Sequence, residues 1–137
     1  MLSDASYAAA LPCSDLERAK SFYADKLGLV PVGAMPDRIF YKGRNGTEFF
    51  LFASSGRASG SHDQMRFSVA DIEAEVRALK LRGVQFEQFD FPGFDKATSI
   101  AWVIDHSAAW FKDSEGNLLV IVQLAVGAID RPATSPT

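Results

Sequence analysis

Glu48 and Arg66 are the two side chains in this sequence best suited to act on a bound molecule. A carboxylate shielded from water can serve as a general base, and a guanidinium fixes carboxylates or phosphates through paired N–H donors. Strand alternation groups Glu48 with Phe50 and Phe52, and Arg66 with Gln64 and Ser68. An unpaired charge among apolar neighbours is costly. Arg66 therefore calls for Glu48, for an acceptor on a ligand, or for plain solvent at the mouth of a site. No nucleophile or orienting partner can be read beside Glu48. Cys13 has no basic neighbour in sequence to lower its pKa and reads as a buried, inert thiol. His62, in Ser59-Gly60-Ser61-His62-Asp63, reads as a solvated loop histidine, and His106 as a hairpin-tip residue.

The elements that position these groups come in two copies. Phe40-Tyr41-Lys42-Gly43-Arg44-Asn45-Gly46 and Trp110-Phe111-Lys112-Asp113-Ser114-Glu115-Gly116 share an aromatic-aromatic-Lys-turn-Gly pattern 70 residues apart. Ser14-Asp15-Leu16-Glu17 is echoed 56 residues later by Ala70-Asp71-Ile72-Glu73. The difference leaves an insertion of 14 residues in the second copy, near Phe91–His106, long enough for a flap or an extra hairpin.

Each copy reads strand-helix-strand-strand-strand. Tyr7–Pro12 and Gln64–Val69 are the leading strands. Ser14 and Glu17 stand at capping-box spacing with Asp15 as the competing N-cap; Asp71 opens the second helix, and Gly28 and Gly83 close the pair. Strands are expected over Leu29–Gly33, Arg38–Lys42 and Thr47–Ala53, then over Val84–Asp90, Ala108–Lys112 and Asn117–Leu124. Along the leading and closing strands Ala9, Leu11, Phe49, Leu51, Phe67, Val69, Leu119 and Ile121 should pack under the helices. The other parity, Ala8, Ala10, Glu48, Phe50, Phe52, Gln64, Arg66, Leu118, Val120 and Val122, is small and aromatic with a few polar groups, the composition of a small-molecule pocket. Trp102, Phe91 and Phe94 in the insertion are placed to cover it or to meet a partner. Tyr23 and Trp110 read as helix-sheet core.

Composition bounds the rest. With 47% hydrophobic and 23% charged residues, the chain is an ordinary globular one. A net charge of -3 without a basic stripe argues against nucleic-acid binding, and no apolar run approaches a membrane span. A single cysteine and the lack of a signal-peptide pattern fit a reducing cytoplasm. One domain over 1–127 is expected, built from repeats 6–54 and 62–124. The Pro/Ser/Thr-rich end, 128–137, is expected to fray.

Ser14-Asp15-Leu16-Glu17-Arg18-Ala19 with Phe22-Tyr23 and Leu27-Gly28-Leu29, then Val69-Ala70-Asp71-Ile72-Glu73 with Arg82-Gly83-Val84, then Ala109–Asn117, resemble the vicinal oxygen chelate superfamily of glyoxalase I, bleomycin-resistance proteins and extradiol dioxygenases. The resemblance covers roughly residues 6 to 124. It implies an α+β fold of two βαβββ repeats, a curled mixed sheet around a central cleft, and a homodimer. It also implies four metal-ligand positions, which fall at Ala8, Phe50, Gln64 and Val120. Three of these have no donor atom, and one neutral amide cannot hold a first-row metal without partners. No metal or other cofactor is therefore expected, unless His62, Gln64 and Glu48 form a displaced site.

Two functions follow as expectations. The first is a metal-free binding protein that holds a small, partly apolar molecule between its repeats, with Ala8, Ala10, Glu48, Phe50, Phe52, Gln64, Arg66, Trp102, Val120 and Val122 as the lining. The alternative is an enzyme of the same superfamily, a lyase, isomerase or dioxygenase-like protein working through a displaced metal or through Glu48 and Arg66.

Overall fold

Two aspartates begin the two helices. Asp15 caps α1 (Leu16–Asp25) by accepting from the Arg18 N–H at 3.0 Å, and Asp71 caps α2 (Ile72–Leu81) by accepting from the Ala74 N–H at 3.1 Å. Of the two N-caps weighed for α1, Asp15 holds the position; the Ser14 hydroxyl instead donates to Glu115 at 3.2 Å. Gly28 and Gly83, with φ of 70° and 90°, supply the left-handed residues that turn the chain away from each helix. The computed structural model describes residues 1–124; the end of the expected 1–127 domain and the expected frayed tail at 128–137 lie outside the described residues.

The chain forms two compact units. The first is Met1–Ser59 together with Asp113–Asn117. Its strands are β1 (Ala9–Cys13), β2 (Gly33–Met35), β3 (Arg38–Lys42) and β4 (Glu48–Ala53), in the order β1-β4-β3-β2, with β1 parallel to β4 and the remaining pairs antiparallel. The β3–β4 turn uses Asn45 and Gly46 at φ of 56° and 75°, as expected from Arg44-Asn45-Gly46. The predicted strand at Leu29–Gly33 forms later, at Gly33–Met35, because Pro31 has no N–H to give a ladder.

Registry puts Ala9, Phe49 and Tyr41 in one row and Leu11, Leu51 and Ile39 in the next. These rows, with Ala19 and Tyr23 from α1, make the core. Tyr41 stacks on Phe49 at 4.8 Å, and Tyr23 lies 5.7 and 5.9 Å from the two rings. Each ring buried so completely stabilises by roughly 2–3 kcal/mol.

The turn Asp113–Asn117 is the other half of this unit. Asp113 is buried and accepts from the Tyr23 hydroxyl at 2.7 Å, from the N–H groups of Glu115 and Asn117, and from the Asn117 side-chain amide. That amide also donates to the Pro12 carbonyl at 3.1 Å.

The second unit is Gly60–Lys112 with the described residues from Leu118. It holds β5 (Met65–Ser68), β6 (Phe94–Asp95), β7 (Ile100–Trp102), β8 (His106–Lys112) and β9 (Leu118–Leu124), in the order β5-β9-β8-β7-β6. The helix-facing rows are Met65, Leu119 and Phe111, then Phe67, Ile121 and Ala109, which α2 covers with Ile72, Val76 and Leu79. The strand expected over Val84–Asp90 is absent. Phe86 makes only an isolated bridge to Phe111, and the Glu87 N–H donates to the Trp110 carbonyl at 2.7 Å. The rest of the β8 edge pairs with β7, so the insertion supplies the neighbour that the repeat pattern assigned to 84–90. The insertion is the extra hairpin, β6–β7. The result is an α+β fold of two βαβββ modules, the second enlarged by one short strand.

Candidate functional site

Arg66, Val120 and Trp110 form one row across β5, β9 and β8, and Ser68, Val122 and Ala108 form the next. These rows lie on the face opposite α2, as strand alternation requires. Val120, Val122 and Ala108 are 5% exposed or less and pack with Trp110 and Leu124.

Trp110 was expected in the helix-sheet core and is instead a wall of the site. In this register its parity is that of Val120, so the ring leaves the core face, which Phe111 occupies. Its indole N–H donates to Asp63 Oδ1 at 2.9 Å. Phe89 meets it edge-on at 5.3 Å, and Phe89, Phe91 and Phe94 form a cluster with centroids 5.6 to 6.0 Å apart. Phe91 and Phe94 thus act together with Phe89 and Trp110. Phe89 and Asp63 were not legible as site residues, since the first fell in a segment read as a strand and the second in one read as a loop.

Against these rings lies a recess of 530 Å³. Phe89, Phe91, Trp110 and Leu118 supply its apolar wall, and His62, Asp63, Glu87 and Gln88 its polar rim. Glu87 pairs with Lys112 at 3.4 Å. A concave apolar wall with a few polar groups at its edge is the make-up of a small-molecule site.

A second recess, of 270 Å³, shares two lining residues, Trp110 and Asp63, with the first. Its floor is Ala108, Val120, Val122 and Leu124, and Arg66, Asp105 and His106 complete it. His106 Nδ1 lies 2.7 Å from Asp105 Oδ1; this hydrogen bond holds the Asp105 carboxyl below the usual carboxylate range. Arg66 is exposed and has no hydrogen-bond or ion-pair partner among the described residues. Trp102, on β7, is 46% exposed beside Val103 and Ile104 and lines neither recess.

In the first unit, Ala10 and Phe50 are register partners, and Phe40 and Phe52 extend the row of rings at 5.8 and 6.2 Å from Phe50. The Arg38 guanidinium lies 5.8 Å above the Phe50 ring. Ala8 precedes β1 and is exposed. Glu48 is 44% exposed and pairs with Lys42 at 3.7 Å. This half-solvated pair does not create the desolvated carboxylate that base catalysis needs.

The metal-ligand positions implied by the fold do not fit a metal. Ala8, Phe50 and Val120 offer no donor, and Gln64 offers one neutral amide oxygen, buried and without a hydrogen-bond partner among the described residues. Among the described residues no three His, Cys, Asp or Glu side chains cluster in a way that could hold an ion.

Known structures share this architecture. TnmS3, an antibiotic binding protein from Streptomyces sp. CB03234, superposes with a TM-score of 0.66 at 21% identity, covering 89% of this chain and 98% of that one. UcmS2 gives 0.65 at 19% identity, covering 86% and 98%. A glyoxalase/bleomycin resistance protein/dioxygenase from Alicyclobacillus acidocaldarius gives 0.66 at 23% identity, covering 88% and 92%. At such identities the likeness is one of fold. No curated protein matches the sequence significantly. The sequence pattern of the Glyoxalase/Bleomycin resistance protein/Dioxygenase superfamily matches residues 7–121, and with both of its βαβββ modules in place the chain belongs to that family.

Proposed function

We propose that this protein binds a small, partly apolar molecule with a flat aromatic portion, and that its principal contacts are in the recess beside Trp110. The observation that carries this reading is the wall of rings itself. Trp110 is held by Asp63 and buttressed by Phe89, so the recess is shaped before a ligand arrives and little ordering is left for binding to oppose. A neighbour of the same fold that binds an antibiotic supports the class of ligand.

Binding is favoured over catalysis because the buried carboxylates, Asp113 and Glu115, line neither recess and are held by hydrogen bonds of the turn and of Arg18, while Glu48 is half solvated. We extend the proposal to a cytoplasmic homodimer, for which the single buried cysteine and the short strand edges left by β2 and β6 are the support.

Native mass spectrometry of freshly purified protein, followed by tryptophan-fluorescence titration with fused-ring aromatic compounds, tests the reading. An organic adduct, or saturable quenching that Trp110→Ala removes and Trp102→Ala retains, is the expected result. No adduct and no quenching by any compound up to about 1 mM, the weak limit of specific binding, would sink it.

A further inference from the structure

The two recesses of the second unit are halves of one site. We infer that the ligand joins a flat aromatic body, seated against Trp110 and Phe89, to a short arm that ends in a carboxylate over Arg66. This rests on the binding function proposed above and specifies its ligand.

Three observations carry it. Trp110 and Asp63 line both recesses, so a ligand that reaches from one to the other passes along the indole edge. The register then fixes the arm's length. Arg66, Val120 and Trp110 are partners across three adjacent strands, which sets Arg66 about 10 Å from Trp110, two strand spacings away. The floor between them is apolar and almost fully buried, so a chain of methylenes suits it.

The charges decide how the arm ends. Four titratable side chains line the smaller recess. Asp63 already accepts the Trp110 indole N–H, and Asp105 is engaged with His106. Arg66 alone has no partner among the described residues, so the group it awaits is an acceptor. A guanidinium fork matches the paired oxygens of a carboxylate or a phosphate. Asp63 and Asp105 stand at the same recess, and their repulsion, which grows with the charge of the ligand, makes a singly charged group the better match to one guanidinium. A monoanionic carboxylate fits.

Naphthylbutyrate and naphthylbutanol are suitable probes: the same body on the same four-carbon arm, ending in a carboxylate or a hydroxyl. Both are titrated calorimetrically into the whole protein and into Arg66→Gln and Trp110→Ala, with thermal unfolding as the check on folding. Arg66→Gln should weaken naphthylbutyrate about tenfold and leave naphthylbutanol within about twofold, whereas Trp110→Ala should weaken both. Equal binding of the two probes, or an Arg66→Gln effect that is alike for both, overturns the two-part site and leaves the binding function standing. Failure of both probes to bind the unaltered protein overturns this inference; the binding function falls with it only if native mass spectrometry shows no adduct and no fused-ring compound quenches the tryptophan fluorescence.

Discussion

The Arg18 guanidinium reaches the Glu115 carboxylate with two hydrogen bonds, Nε at 2.8 Å and Nη2 at 3.0 Å, across 97 residues of chain. The Glu115 side chain is 1% exposed and also accepts from the hydroxyls of Ser14 and Ser114 and from the Asp15 N–H. Burial alone would raise its pKa. The hydrogen bonds from Arg18, Ser114 and Asp15 outweigh it and hold the carboxyl at about 2, against the usual 4.5.

That depression predicts acid sensitivity. A carboxylate with a lowered folded pKa contributes stability that is fully present above about 4.5 and is lost as pH falls toward about 2. The full shift corresponds to about 3 kcal/mol, but Arg18 is half exposed, and screening reduces this to roughly 1–2 kcal/mol. Urea unfolding compared at neutral pH and at pH about 3, inside that window, should show the loss, and Glu115→Gln should flatten it. A Glu115→Gln variant with the same acid dependence as the unaltered protein would place the sensitivity elsewhere.

Tyr23→Phe removes one of four donors to Asp113 and leaves the ring's packing intact. A cost of about 1–2 kcal/mol is expected, since the carboxylate stays buried with one lone pair unmet. Asp113→Ala should cost more, roughly 3 kcal/mol, because it strands the Tyr23 hydroxyl and frees the whole turn. Denaturant midpoints measure both; a Tyr23→Phe midpoint matching that of the unaltered protein contradicts the role given to this hydroxyl.

Much of this was legible in the residues. The alternation of Ala9, Leu11, Phe49 and Leu51 named the helix-facing side of the first sheet, because a period of two leaves no choice once one face is buried. The Asp71 N-cap and the Asn45-Gly46 turn were local chemistry and formed as read, while at α1 the competing cap, Asp15, displaced the Ser14 capping box. What stayed hidden depended on partners distant in sequence. Val84–Asp90 has the residues of a strand, but the available edge of β8 is occupied by β7, and strand pairing is a competition that composition does not record. Trp110 was misassigned for a related reason. An aromatic pair such as Trp110-Phe111 does not say which ring faces the helix until the register with β9 is known. Glu115 looked like an ordinary turn residue, and only the proximity of Ser14 and Arg18 makes it a buried acceptor.

Cys13 is 1% exposed, and burial, with the nearby charges of Asp113 and Glu115, pushes its thiol up to about 12. Almost no thiolate exists at mildly alkaline pH, and what forms is shielded. Reaction with an aromatic disulfide reagent should therefore be negligible in native buffer and should follow the unfolding curve in urea. Stoichiometric labelling within minutes under native conditions would show that the β1 end opens far more readily than its packing implies.

Gly93 sets the geometry of the β6–β7 hairpin. Its φ of 93° is unfavourable for any other residue, and a Cβ there would sit 2.7 Å from the Trp102 carbonyl oxygen. The same backbone pair is joined by the Trp102 N–H donating to the Gly93 carbonyl at 2.7 Å, so the clash falls on a closing hydrogen bond of the hairpin. Gly93→Ala must either twist φ toward negative values or push β7 away. Both movements loosen β6, a strand of only two residues with a single sheet neighbour. A loss of about 1–3 kcal/mol is expected, confined to the insertion because β8 and β9 retain their own pairing. Hydrogen exchange should report it as faster exchange over residues 91–104 with unchanged protection in β9. Phe91 and Phe94 flank this glycine and pack on Phe89, which meets Trp110, so the variant should also weaken aromatic probes in the larger recess. Faster exchange without weaker probe binding would separate the hairpin from the site and leave Phe89 and Trp110 as its only aromatic wall.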